Sequence, residues 1–172
     1  MTIKPNQIPF EEKWAMAARG LTAAMVAHLD ALHKAAGKAQ YTEIIRQIWT
    51  QIGQGAAADV ERMGMETDNA WQVAEAGVTF CMCAMGPEYQ IEELEASEDR
   101  AVMKITECPW NNRMGELGIS EDLLSACDRA FWSQFVYSLN PEVTMKHGKQ
   151  MHCGDPYCEW IFEKKAGQKS VV

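Results

Sequence analysis

Six cysteines, at positions 81, 83, 108, 127, 153 and 158, are the residues of this chain best suited to chemistry, and their spacing decides which chemistry. No two of them form a C-x-x-C pair. That removes the zinc ribbon and the thioredoxin-type disulfide, since both need that spacing to bring two sulfurs to one centre. Cys81 and Cys83 flank a single residue, and on a helix their side chains diverge by about 200°, so Cys81 joins an apolar stripe, Cys83 faces away, and packing is the expected role of the pair. Cys108, in Glu107-Cys108-Pro109-Trp110, stands at the end of an expected strand that Pro109 interrupts, which predicts an exposed thiol at an element end. Cys127 falls on the apolar face of an expected helix with Leu123, Leu124 and Phe131, and Cys158 opens an expected strand on the face of Trp160 and Phe162. Three thiols on inward faces of three consecutive elements either converge on one site or are buried separately, and the pattern leaves both readings open.

The other reactive groups divide in the same way. His28 lies in the middle of an apolar helical stripe, where an imidazole is either hydrogen-bonded in the core or turned towards a ligand. Glu107 has the parity of Met103 and Ile105, so either the strand ends one residue early or a carboxylate points into a pocket as a general base. His147 shares an apolar face with Val143 and Met145, and His152 falls in a turn beside Cys153. Trp110 and Trp160, next to Cys108 and Cys158, are candidate substrate contacts. The chain holds 11 Met and 6 Trp, adaptable and polarizable residues that line a core or an apolar pocket.

Helices are expected to position the first half of the chain. Phe10, Trp14, Ala17, Leu21, Met25, His28 and Leu32 recur at three- and four-residue steps and predict one buried stripe, with Gly37 at its end. A second helix from about Thr42 carries Ile45, Ile48, Trp49, Ile52, Ala56 and Met63, with a kink or close packing at Gly53 and Gly55. A third follows the cap candidates Thr67, Asp68 and Asn69 and stops at Gly86-Pro87. The period then changes to two. Tyr89 to Glu95 and Ala101 to Glu107 predict a hairpin around Ser97-Glu98-Asp99-Arg100. Ser120 is the expected cap of a fourth helix, with Glu121 and Asp122 in its first turn and Asn140-Pro141 at its end, and two strands close the chain. Helices first and antiparallel strands later make an α+β domain. A single domain is expected over 1–172, with a helical layer about 9–86, a sheet with one helix about 88–164, and a frayed tail over 166–172.

Composition narrows the partners. With 172 residues, 47% of them hydrophobic, a core of ordinary size is within reach and the cysteines are not needed as staples. Sixteen basic against 24 acidic residues leave a net charge of −8, and the basic residues are scattered, so neither nucleic acid nor an anionic membrane is an expected partner. No leader opens the chain at Met1-Thr2-Ile3-Lys4-Pro5 and no apolar run is long enough to span a bilayer, which predicts a cytoplasmic protein with reduced thiols. Apolar content all round the third helix predicts self-association as a homodimer.

The order Cys108-Pro109-Trp110, then Cys127-Asp128 on a helix, then Gly154-Asp155-Pro156-Tyr157-Cys158-Glu159-Trp160 in a final strand resembles the L-2-amino-thiazoline-4-carboxylic acid hydrolase-like family. It is more distantly similar to vinyl-reductase-like ligand-binding domains, whose last strand has a similar Gly-Asp-x-x-Cys ending. The resemblance implies hydrolytic opening of a small cyclic amidine-like substrate, the thiazoline ring being opened by water to an N-carbamoyl cysteine. Cys108, Cys127 and Cys158 are the matching positions, with Cys108 the expected nucleophile if catalysis is covalent and Asp128 an acid or base. The alternative implied by the sensor-like relatives is a non-catalytic small-molecule or zinc-binding domain. There Cys127 and Cys158 would hold zinc, completed from Cys108, Cys153, His147 or His152, because the upstream cysteine of those domains has no counterpart here.

Overall fold

A computed structural model describes residues 8–120 and 122–165 of the chain. The elements run α1 (Phe10–Arg62), α2 (Ala70–Met85), β1 (Gln90–Ala96), β2 (Arg100–Glu107), α3 (Pro109–Glu116), α4 (Leu124–Leu139), β3 (Val143–His147), a 3-10 turn at Met151–Cys153, and β4 (Cys158–Lys164). The fold is α+β, with most of the helices before a four-stranded antiparallel sheet of order β1-β2-β4-β3. The segment expected as a tail, 166–172, lies outside the described residues, as do Glu121 and the first seven positions.

α1 is two helical arms that meet at Gly37, whose φ of 72° and ψ of 162° take the chain out of the helix in a conformation that glycine holds without strain. The buried stripe of the first arm is Ala18, Thr22, Val26 and Leu29, one position on from the expected run. Phe10 and Leu21 stay exposed at 78% and 49%, and His28 is exposed with them. Small residues take the inner position because α2 comes close there. Ala18 meets Gly86 at the end of α2, and the Trp14 indole N–H donates to the Cys83 carbonyl at 3.1 Å. In the second arm Tyr41, Ile45, Trp49, Ala56, Ala57 and Val60 are buried, whereas Ile48, Ile52 and Met63 of the expected stripe are exposed.

The helix past Gly53 is unbroken, so this glycine serves close packing rather than a kink. A Cβ built there would stand 2.6 Å from the Phe131 carbonyl oxygen of α4. α2 starts as expected, with the Asn69 side chain accepting from the Gln72 N–H at 2.9 Å. α4 starts later than expected. Ser120 lies upstream of it; the N-cap position is Leu123, and the carboxylate of Asp122 just before it accepts from the Ser125 N–H at 3.0 Å.

α3 is absent from the sequence expectation, because Pro109 signals a strand stop as readily as a helix start. The same proline occupies the first helical turn, where its missing N–H costs nothing. Arg113 of α3 is 1% exposed and makes paired hydrogen bonds to the Glu88 carboxylate at 3.1 and 2.8 Å, plus one to Glu116 at 3.0 Å. The two terminal nitrogens of this buried guanidinium meet the carboxylates in a fork that ties α3 to the segment after α2, while Nε has no hydrogen-bond partner.

The strand register sets the inner face of the sheet. Met103 pairs with Trp160 and Ile105 with Cys158, while Met145 pairs with Phe162 and His147 with Trp160. These side chains share one face because side chains alternate along each strand. A register shift between Gln90 and Ile91 inserts an extra residue at the end of β2. It breaks the alternation there, and Glu107 is exposed rather than continuing the face of Met103 and Ile105.

Gly53→Ala is expected to destabilise the protein by about 1–3 kcal/mol through overpacking. Gly55→Ala, where a Cβ meets nothing within 4 Å, should stabilise it by about 0.5–1 kcal/mol through helix propensity. Urea denaturation of the two variants reads the contrast, and equal effects would contradict this packing.

Candidate functional site

Helix α4 carries polar chemistry into the interior. Leu124, Cys127, Asp128, Phe131 and Trp132 recur at three- and four-residue steps and therefore face the same way. Together with Met25, Trp49, Ile52, Phe80, Cys81, Met85, Tyr89, Trp110 and Trp160 they line a cavity of about 80 Å³ between the helical layer and the sheet. A water needs roughly 10–15 Å³ by such a measure, so the space suits a few waters or one small planar molecule. The aromatic wall is continuous. Trp132 lies 4.6 Å from Trp160 between ring centroids, Trp49 lies 5.5 Å from Trp110, and Phe131 stacks on Phe135 at 5.4 Å.

Asp128 is the charged group of this wall. It keeps 34% of its side-chain accessibility, yet among the described residues no group donates a hydrogen bond to its carboxylate. The basic nitrogen nearest to it is His147 Nε2, at 4.0 Å from Oδ2, and that nitrogen is itself buried with no hydrogen-bond partner. Burial pushes the Asp128 carboxyl up to about 7, with the negative field of Asp122 adding to the shift and Arg129 opposing it. Burial likewise pulls His147 down to about 4, helped by the positive fields of His152 and Arg129. The two groups are therefore both uncharged between these values, and near neutrality Asp128 exchanges its proton readily.

The thiols are arranged differently from the expectation. Cys108 is half-buried at the start of α3 rather than exposed. Burial pushes its thiol up to about 12, against the opposing pull of the Asn111 and Trp110 backbone N–H groups. Raised this far, the thiol stays protonated at neutral pH, so it is poorly suited to the nucleophilic role expected of it. Cys158 is raised to about 11, again mainly by burial, with the Met151 N–H on its sulfur at 3.2 Å opposing the shift. Cys127 is raised by burial and by Asp128, and its S–H donates to the Leu123 carbonyl at 3.4 Å. Cys81 is raised by burial as well.

The predicted site residues thus separate. Trp110, Trp160, Cys127 and Asp128 line the cavity, whereas Cys108 and Cys158 are not among its lining residues; the field of Cys158 adds to the upward shift of Cys108. His28 lies outside it, on the exposed face of α1, its Nδ1 donating to the Ala24 carbonyl at 2.6 Å, because the helix is rotated by one position from the expected stripe. Glu107 also lies outside, for the register reason given above. The sequence reading missed Trp49, Trp132, Phe80 and Tyr89 as lining residues. The surplus of tryptophan was their signal, but periodicity cannot separate a cavity wall from a core.

For zinc, Cys108, Cys127 and Cys158 do not form a ligand set. Among the described residues, the metal-type donors that come within 4.8 Å of one another in a group of three are Asp122, His152 and Cys153. Two of these, His152 and Cys153, were expected; Asp122 was not. Burial, partly offset by Asp122, lowers His152 and favours the neutral ring that binds metal. Carboxylate, imidazole and thiol are donors that zinc accepts, and these three residues are the ones that would hold it.

Fold and cavity together define an α+β domain that encloses a small aromatic chamber with one acid in its wall. The chain belongs to the L-2-amino-thiazoline-4-carboxylic acid hydrolase family, whose model matches residues 19–162. No curated protein matches it. Among solved structures it is similar to the phenol-responsive sensory domain of the transcription activator PoxR with phenol, at 12% identity and a TM-score of 0.62 over 83% of this chain and 74% of that one. It is also similar to a trafficking protein particle complex subunit 3 from Naegleria fowleri covalently bound to palmitic acid, at 13% identity and a TM-score of 0.62 over 88% and 96%. At these identities the likeness is one of fold. Among the described residues no helix is long and apolar enough to cross a membrane.

Asp128 and His147 tilt stability against pH in opposite senses. An acid raised from 3.8 to about 7 favours the folded state at low pH and loses that contribution as pH rises through 7. A histidine lowered from 6.5 to about 4 favours it at high pH and loses that contribution as pH falls through 4. Relative to wild type, the stability of Asp128→Asn should therefore rise between pH 4.5 and 6.5, and that of His147→Gln should fall. Urea midpoints across this range measure both, and flat differences would contradict the two environments.

Proposed function

We propose that this protein hydrolyses a small cyclic amidine-like substrate, with Asp128 as the acid–base group. One observation carries the reading: a carboxyl with no hydrogen-bond donor, raised to about 7, faces an aromatic cavity of small-molecule size in a member of this hydrolase family. A general base is most effective when its pKa lies near the working pH. Asp128 in its ionised form takes a proton from water as the water oxygen bonds to the ring carbon between nitrogen and sulfur. In the adduct the former imine nitrogen takes up the hydroxyl proton through solvent, the carbon–sulfur bond breaks as the C=O bond forms, and the Asp128 carboxylic acid returns the first proton to the departing sulfur. Substrate plus one water become a ureido thiol, and the acid is regenerated as a carboxylate. The protonated thiols of Cys127 and Cys81 contribute polarizable wall, and no covalent intermediate is needed.

A second reading, binding without turnover, is favoured by the apolar character of the cavity and by the fold shared with a phenol-responsive sensory domain. The assay that separates them follows the ureido thiol product chromatographically, with L-2-amino-thiazoline-4-carboxylate and 2-amino-2-thiazoline as substrates. Turnover of at least one is expected, with kcat/KM rising as pH passes through about 7. Asp128→Asn should lower the rate at least about 100-fold, within the range expected of a general acid–base group. Cys108→Ser should stay within about threefold of wild type, since a thiol of this pKa adds little nucleophile. Absence of product from both compounds, or full turnover by Asp128→Asn, would refute the hydrolytic reading.

A further inference from the structure

Three side chains with metal-binding chemistry meet where α4 begins. Asp122 precedes that helix, and His152 and Cys153 are consecutive in the 3-10 turn that leads to β4. Each presents one donor atom, and these atoms lie within 4.8 Å of one another. None of the three lines the aromatic cavity. Asp122 Oδ1 and His152 Nε2 stand 3.7 Å apart. Zinc bonds of about 2.0–2.3 Å to oxygen, nitrogen and sulfur hold tetrahedral ligands about 3.3–3.6 Å from one another, so the group closes on an ion with shifts of roughly 1 Å or less.

Local hydrogen bonds already hold the ligands in place. The Ser125 N–H donates to Asp122 Oδ1 at 3.0 Å. The turn is closed by the Cys153 N–H on the Gln150 carbonyl at 3.0 Å and by the Gly154 N–H on the Met151 carbonyl at 2.9 Å. Asp155 pins its start, accepting from the Gln150 N–H at 2.9 Å. The His152 side chain is 3% exposed, which fixes the imidazole, whereas Asp122 and Cys153 are exposed and leave the group open to solvent on one side. An ion enters from that side. The Ser125 hydroxyl, 3.3 Å from His152 Nε2 and 3.7 Å from Cys153 Sγ, or a water takes the fourth position.

The donor set selects the ion. Calcium and magnesium take about six or more oxygen ligands, and this group offers a single carboxylate. One carboxylate, one imidazole and one thiolate suit zinc, and the net charge of −8 favours a cation in general. We propose that Asp122, His152 and Cys153 bind one zinc ion at a structural site that fastens the turn before β4 to the start of α4. On binding, the Cys153 thiol gives its proton to solvent and its sulfur bonds to the ion, which stays divalent throughout. The site is not the one implied by the resemblance to vinyl-reductase-like domains. Cys127 and Cys158 take no part in it, since the Cys127 S–H donates to the Leu123 carbonyl and the Cys158 sulfur accepts from the Met151 N–H.

The test uses the full chain, purified without a metal-affinity resin and stripped with EDTA, then titrated with zinc and separately with cobalt(II). Wild type should take up one equivalent of zinc with a Kd below about 1 μM and release a proton as it does so. Saturating zinc should raise the thermal midpoint by about 5 °C or more. Cobalt should give a near-ultraviolet thiolate charge-transfer band and the intense visible bands of a tetrahedral ion. Cys153→Ser, at an exposed position, should abolish the charge-transfer band and weaken zinc at least about 100-fold. Asp122→Asn and His152→Gln should each weaken it at least about tenfold, with circular dichroism reporting the fold of the metal-free variants. The two exposed positions, 122 and 153, decide the result if His152→Gln does not fold. Cys83→Ser, at an exposed thiol outside the group, should match wild type. No zinc uptake by the folded wild type, a charge-transfer band that survives Cys153→Ser, or an affinity unchanged in Asp122→Asn would each overturn the proposal. None of these readouts involves turnover, so the result stands apart from the hydrolytic reading.

Discussion

A carboxylate placed among aromatic rings without a hydrogen-bond donor is expensive to keep ionised, and the protein must either supply a partner or let the group hold its proton longer. Elsewhere this chain supplies partners. Arg113 is buried, and two carboxylates meet its guanidinium nitrogens. Asp128 receives no such treatment. Its nearest basic neighbour is a neutral imidazole at 4.0 Å, and burial, with the field of Asp122 adding to it, raises its proton affinity to about 7. That single position, without a protein donor, sets the proton affinity on which the proposed acid–base role rests.

Much of the architecture holds this arrangement in place. The helical repeat of α4 puts Asp128 on the same face as Leu124, Phe131 and Trp132, so one element carries both the acid and part of the wall that dehydrates it. The missing side chain at Gly53 lets α1 lie against the α4 backbone near Phe131, which brings Trp49 to the cavity. Tyr41 fixes the other end of the same contact, its hydroxyl donating to the Leu123 carbonyl at 2.7 Å. From below, the β3–β4 register sets His147 opposite Trp160, so the sheet contributes a ring to the wall and an uncharged nitrogen behind it. Cys81, Cys127 and Cys158 fill the space between these layers as protonated thiols, among the most readily buried side chains.

The sequence was informative where pattern maps directly onto geometry. Alternation along Val143–His147 and Cys158–Phe162 placed their inner faces correctly, and the order of Cys108, Cys127-Asp128 and Gly154–Cys158 pointed to the right family. It was misleading where packing overrides hydrophobicity. The first arm of α1 turns Ala18 and Thr22 inward and leaves Phe10 and Leu21 outside, because proximity to α2 rewards small residues over large ones. A one-residue register shift at the end of β2 likewise removed Glu107 from the inner face. The emphasis on cysteine came from its rarity and chemical reputation, whereas ionisation depends on surroundings that spacing does not encode. Sequence alone marks Asp128 only as an acid or base beside those thiols, yet it is the group whose surroundings bring its proton affinity near neutrality.

Carbon-detected NMR titration of the aspartate carboxyls, with Asp128→Asn supplying the assignment, measures the ionisation of Asp128 directly. The account predicts one aspartate that titrates with a midpoint near 7 and shifts downward when 2-amino-2-thiazoline is bound. A midpoint for Asp128 in the ordinary aspartate range near 4 would contradict it.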